Sequence, residues 1–245
     1  VIQRALESNV KGFILPGADL SDLPKAVQIA QEYKEVFFSV GVHPYDAQQY
    51  DEKKLLEYIM HPKCVAVGEC GLDYFRLPED KTQKQEEIAL QKEVFIAQVK
   101  LAKQYKKPLI VHIRNASNDS KAILLEHEAS KVGGVLHCFN ADEQLLSLAN
   151  ENFYFGIGGV LTFKNAKKLV QVLPKIPKEK LLVETDAPYL TPHPFRGKRN
   201  EPSYTTYVVE KMAELLNEDI QTIQTLTSNN AQTLFKEFSS LNSLK

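Results

Sequence analysis

The chain has 245 residues, 43% of them hydrophobic and 25% charged, and a formal net charge of -1. That size and apolar fraction suit one compact domain with a sizeable core, since single α/β barrels reach this length. The near-zero charge excludes a broad basic face. No apolar run approaches the roughly 18 residues of a membrane span; the three cysteines lie at no zinc-site spacing, and their odd count argues against a disulfide framework. The expectation is a soluble, cytoplasmic monomer.

Val1 to Ser8 reads as a helix already under way, without an initiating Met. Apolar runs bounded by Gly or Pro then recur: Gly12 to Gly17, Val36 to Gly41, Cys64 to Glu69, Pro108 to Ile113, Gly134 to Cys138, Phe153 to Ile157 and Leu181 to Thr185. Each reads as a strand buried on both faces. Helical segments lie between them, among them Ser21 to Tyr33, with Ser21 as N-cap, and Lys84 to Tyr105, where Ile88, Phe95, Val99 and Ala102 form one stripe. A long insert, Leu72 to Gln83, and a Pro-rich loop, Ala187 to Pro202, interrupt the alternation. Ser203 to Leu216 and Glu218 to Phe238 are expected to be helices packed on the outside.

Strand alternating with helix means a parallel sheet covered by helices, doubly wound or closed as a barrel. Even strand spacing, and the lack of a Gly-rich phosphate loop after the first strand, favour closure as an α/β barrel of the TIM (β/α)8 type. Seven strands are one short of eight. With a helix opening the chain, residues 1–245 are expected to be a single (β/α) barrel domain, N-terminally truncated, whose first strand lies upstream.

The chemistry gathers at strand ends. Side chains alternate along a strand, so Val65, Val67 and Glu69 are expected on one face, with the carboxylate of Glu69 just above the core and in need of a partner or a metal. His112, His137 and Asp186 stand at the exits of three later strands. Together the four residues offer oxygen and imidazole ligands suited to one or two divalent ions such as Mg²⁺, Mn²⁺ or Zn²⁺. Glu69 and Asp186 are the expected catalytic carboxylates. Asp186 can touch both metal and water and take the water's proton, while Glu184 reads as a buried support for a neighbour. His43, Arg114 and Arg196 are candidate substrate-binding residues at the same mouth; Lys198 and Arg199 read equally well as a phosphate clamp or a solvated charge run. Cys70 and Cys138 alternate with Glu69 and His137 and face away, which favours attack by water over a covalent intermediate.

Gly41-Val-His-Pro44, Gly68 to Asp73, Val111 to Arg114, His137-Cys-Phe139, Glu184 to Leu190 and Arg196 to Pro202 resemble the successive motifs of the TatD family from end to end. The resemblance implies a TIM barrel of the metal-dependent hydrolase superfamily, acting on DNA as a 3′ to 5′ exonuclease. It implies that Glu69 is the carboxylate between two metals, His112 and His137 the imidazole ligands, and Asp186 the last ligand and base. The family's first strand ends in a His-x-His pair that does not occur here. Two other readings stay open: a metal-dependent ester or amide hydrolase acting on a small molecule or aminoacyl-tRNA, and a catalytically silent binding protein.

Overall fold

A computed structural model describes residues 1–243. Its frame is a seven-stranded, all-parallel sheet among the described residues, in the order β1 (Phe13–Leu15), β2 (Val36–Val40), β3 (Cys64–Asp73), β4 (Leu109–Arg114), β5 (Gly134–His137), β6 (Phe153–Ile157) and β7 (Leu181–Val183). Every neighbour in the sheet is also the neighbour in sequence. The helices α1 (Ile2–Glu7), α2 (Leu23–Glu32), α3 (Glu52–Ile59), α4 (Lys81–Tyr105), α5 (Ser117–Glu126), α6 (Lys167–Val172), α7 (Thr205–Leu216) and α8 (Ile220–Leu234) lie between or after the strands. The architecture is a TIM-like α/β curl, as the alternation of apolar runs predicts. No helix among the described residues is long and apolar enough to cross a membrane.

The sheet separates two apolar layers. On the helix-covered face, Phe38, Val67, Leu109, Leu136, Phe155 and Leu181 pack against Phe95, Val99 and Ala102 of α4 and residues of the other helices. On the concave face, Phe37, Val65, Ile110, Val135, Tyr154 and Leu182 form a second cluster. Two residues further along five of these strands, on the same face, come Ser39, His112, His137, Gly156 and Glu184. A dry layer thus floors a polar one, and the polar one lies toward the strands' C-terminal ends.

Strict alternation fails in β3. Its pairing shifts register between Phe38 and Ser39 of β2, where Cys64 and Ala66 are the partners, and again between Val67 and Cys70. Each shift inserts one extra residue. Val65 therefore belongs to the concave layer and Val67 to the helix-covered one, contrary to the shared face expected for Val65, Val67 and Glu69. The second bulge sets Gly68 and Glu69 opposite Ile110, and it carries Gly71 beside His112 and Asp73 beside Arg114. Gly71 has φ of 137°, and a Cβ there would overlap the carbonyl oxygen of His112. Only glycine lets the two strands run this close.

Several element limits differ from the sequence reading. The cap of α2 is Asp22 rather than Ser21. Asp80, whose carboxylate accepts from the N–H groups of Thr82 and Gln83, starts α4 three residues early and shortens the preceding insert. The last helix stops at Leu234, and Lys236–Ser243 continues as 3-10 turns. Phe235, Phe238 and Leu241 there turn into the concave layer, where the Phe238 ring lies 4.9 Å from that of Phe37. Residues 235–241 therefore pack on the floor of the curl instead of lying wholly outside it.

Long polar side chains of α4 tie the rim loops down. Gln98, fully buried, accepts from the Val42 N–H at 2.8 Å and donates to the Val42 carbonyl at 3.0 Å, which fixes the backbone beside His43. Gln91 accepts from the Asp73 N–H. Replacing Gln98 by Leu orphans two buried backbone groups, at about 1–3 kcal/mol each. Denaturant unfolding should show that loss; a variant within 0.5 kcal/mol (roughly the size of an ordinary surface substitution) would contradict this role.

Candidate metal centre

The polar layer is built on imidazoles held between carboxylates. His112 places Nδ1 3.0 Å from Glu69 Oε1 and Nε2 2.8 Å from Asp73 Oδ2. His137 places Nδ1 2.8 Å from Glu184 Oε2 and Nε2 3.4 Å from Asp186 Oδ1. His43, after β2, sets Nε2 3.8 Å from Glu69 Oε1, and its Nδ1 accepts the Tyr45 N–H. His43, Glu69 and His112 each offer a donor atom within 4.8 Å of the others.

Glu69 is the centre of the charge pattern. Burial alone would raise its pKa, but His137, His112 and His43 together hold it down to about 2. Burial opposes the proton on His137, yet Glu184, Glu69 and Asp186 raise its pKa well above the ordinary imidazole value. On His112 the bonds to Asp73 and Glu69 likewise outweigh burial and raise the pKa. His43 goes the other way, lowered to about 4 because burial exceeds the attraction of Glu69.

The four residues read from the sequence as ligands come together in two linked groups. His112 joins Glu69 directly, whereas His137 joins Asp186 and reaches Glu69 through its charge. His43, read as a substrate residue, sits inside the first group. Arg114 is exposed at the end of β4, with its guanidinium 3.6 Å from the Phe75 ring centroid. Arg196 lies over Phe163 at 3.8 Å and donates to the Thr191 carbonyl. Arg114 is thus the last residue of β4, and Arg196 lies in the segment after β7.

Asp73 was given no role from sequence. It is 1% exposed, holds the far nitrogen of His112 and accepts the Tyr45 hydroxyl. Its side follows from simple alternation with Glu69, four residues earlier; what the sequence did not show is that its partner is His112. Glu184 is the matching support for His137, and its Oε1 also accepts the Cys138 N–H at 2.6 Å. Gly156 makes room for it: a Cβ at that position would overlap Glu184 Oε2.

This donor set suits a divalent cation. Metal-bound histidines characteristically give their other ring nitrogen to a carboxylate, and here Asp73 holds Nε2 of His112 while Glu184 holds Nδ1 of His137. That leaves Nδ1 of His112 turned to Glu69 and Nε2 of His137 turned to Asp186, with carboxylate and imidazole donors of the kind that bind hard and borderline ions.

A family model described as TatD related DNase matches residues 1–236. The chain belongs to the TatD family. An uncharacterized metal-dependent hydrolase of Bacillus subtilis, YabD, is 43% identical over 240 residues, covering 96% of this chain and 91% of its own. The 3′-5′ ssDNA/RNA exonuclease TatD of Salmonella typhimurium is 35% identical over 245 residues, covering 96% and 92%. Among solved structures, the TatD homolog YjjV of Escherichia coli K12 superposes with a TM-score of 0.85 at 29% identity, covering 96% of this chain and 90% of that one. This TatD-family chain is a metal-dependent hydrolase.

Two outcomes follow for the centre. Glu184→Gln weakens the charged hold on His137, and Gly156→Ala pushes Glu184 off it; either should lower Mn²⁺ affinity by about 10–100-fold in a calorimetric titration, and unchanged affinity would contradict the assignment. His112 and His137 have raised pKa values and bind metal only as neutral imidazoles. Metal uptake at neutral pH should therefore release protons, and affinity should fall as pH is lowered. A weakly buffered titration without proton release would refute that linkage.

Proposed function

We propose that the protein is a phosphodiesterase that shortens single-stranded DNA from its 3′ end, using Glu69, His112, His137 and Asp186 to hold one or two divalent ions such as Mg²⁺, Mn²⁺ or Zn²⁺. The observation that carries this reading is the pairing of that carboxylate and imidazole centre with a rim on which cations lie against aromatic rings. Arg114 covers Phe75, Arg196 covers Phe163, and Arg76 stands 5.3 Å from the Tyr45 ring centroid. Phe75 and Tyr189 expose 55% and 71% of their surface, large values for aromatic residues beside a polar centre. Guanidinium groups suit phosphate oxygens, and open rings suit unpaired bases. The exonuclease named among the relatives agrees with this substrate class.

When bound, a divalent ion supplies positive charge that polarises a phosphoryl oxygen and acidifies nearby water. The chain does the positioning. Asp186, with its side chain 39% exposed, is the carboxylate of the centre most open to an incoming water, and it takes the proton as the water attacks phosphorus. His137, fixed through Glu184, holds the other side of Asp186. Arg114 offsets phosphate charge at the rim. No cysteine or serine nucleophile is needed: Cys70 is fully buried on the helix-covered side.

Asp186→Asn should bind a short oligothymidylate within a few-fold of the wild-type Kd yet cleave it about 10²–10⁴-fold more slowly. Cleavage at the wild-type rate would remove Asp186 from the proton-transfer role. A panel that sets single-stranded DNA beside aryl esters and lactones, at defined Mn²⁺, checks the substrate class; turnover of esters alone would replace the phosphodiesterase by an ester hydrolase.

A further inference from the structure

Apart from the mixed loop after β3, which carries Arg76, Glu79 and Asp80, and from Arg114 at the end of β4, the segments that ring the mouth differ in charge. Residues 16–22, 41–51, 115–119 and 138–143, which follow β1, β2, β4 and β5, contain no Lys or Arg but include Asp19, Asp46, Asp119, Asp142 and Glu143. Residues 158–170 and 187–200, which follow β6 and β7, contain no acid and carry Lys164, Lys167, Lys168, Arg196, Lys198 and Arg199. These last two loops form one surface. The His193 N–H donates to the Thr162 hydroxyl at 2.9 Å, Arg196 lies on Phe163, and Gly159 packs against the Leu190 carbonyl so closely that a Cβ would overlap it.

The cations on this surface are not neutralised locally. Lys164, Lys167 and Arg199 are exposed and have no ion-pair partner among the described residues. Lys168 feels Asp142 and marks where the acidic side begins. Glu201, the first acid after the second loop, is bound by Arg4 at 2.7 Å, so it does not offset the tract. Tyr189 stands in the same loop with 71% of its surface open.

From this concentration of unpaired cations we infer that the uncleaved body of a single-stranded nucleic acid leaves the centre across the β6 and β7 loops, its phosphates on Lys164, Lys167, Arg196, Lys198 and Arg199 and a base on Tyr189. The inference rests on the nuclease reading above and adds a direction to it. On the β4 and β5 loops Asp119 and Glu143 are already paired with Lys92 and Lys175, each at 2.7 Å, and add no attraction for phosphate, whereas several unpaired cations release counterions when a strand covers them. An exposed ring accepts any base by stacking, so the tract grips without reading sequence.

The test measures binding of 5′-fluorescein oligothymidylates of about four and about twelve nucleotides, a span typical of single-strand sites, to the full chain in EDTA by fluorescence anisotropy. Wild-type protein should bind the longer strand at least about tenfold more tightly. Lys164→Ala, Lys167→Ala and Arg199→Ala combined should abolish that advantage and reduce the slope of log K against log salt by about 2. Exchanging the same three for Arg, Arg and Lys should preserve it. No length preference in the wild type, or an unchanged salt slope in a folded triple-alanine protein, overturns the path. Hydrolysis of bis(p-nitrophenyl) phosphate by wild-type protein with Mn²⁺ separates the two levels. If it is present while the binding results fail, only the path is wrong; if it is absent together with any cleavage of DNA, the phosphodiesterase reading falls and the path with it.

Discussion

Two imidazoles, each gripped at both nitrogens by carboxylates, are the constraint on which the rest depends. His112 spans Glu69 and Asp73, and His137 spans Glu184 and Asp186. Buried acids are tolerable only when paired or bound to a metal, so the fold must deliver all six groups to one level of the sheet. It does so with a layer of apolar side chains directly beneath them, with the second bulge of β3, which brings Glu69 and Asp73 back to the concave face after Val67 has left it, and with Gly71 and Gly156 where a methyl group would collide. The concave face is thus dry at its floor and charged at its mouth. Barrel enzymes place chemistry at that same end, where loops are free to vary over a rigid sheet.

Much of this was legible in the sequence because the signals are strong. All seven strands follow from apolar runs bounded by Gly or Pro, and the gathering of acids and histidines at strand exits follows from their place in those runs. What stayed hidden had a local cause. A bulge leaves no mark in a hydrophobic pattern, so the side taken by Val67 could not be counted off from Val65, although the second bulge restores the count by Glu69 and Asp73. Partner choice was equally hidden: Glu184 reads as a support, but nothing in the sequence says that its partner is His137. The 3-10 tail was missed because Phe235, Phe238 and Leu241 continue a helix-like spacing, and only the open floor of the curl draws them inward.

Family and chemistry constrain the protein to different degrees. Membership in the TatD family and metal dependence rest on matches along almost the whole chain. The bond that is cut is a proposal that leans on the rim, because a carboxylate and imidazole centre of this kind serves several hydrolytic reactions. Here the rim combines arginines laid on aromatic rings with two acid-free stretches, residues 158–170 and 187–200. This distribution suits a flexible polyanion with stacking bases better than a small neutral ester.

The central claim is that Glu69, His112, His137 and Asp186 converge on a cation. Anomalous diffraction from Mn²⁺-soaked crystals tests it most directly, because it locates the ion and its ligands together. The account predicts a peak bonded to the Glu69 carboxylate and to His112 Nδ1, His137 Nε2 or both, with Asp73 and Glu184 one bond further out. Ordered Mn²⁺ elsewhere on the protein, with this cluster empty, would contradict it.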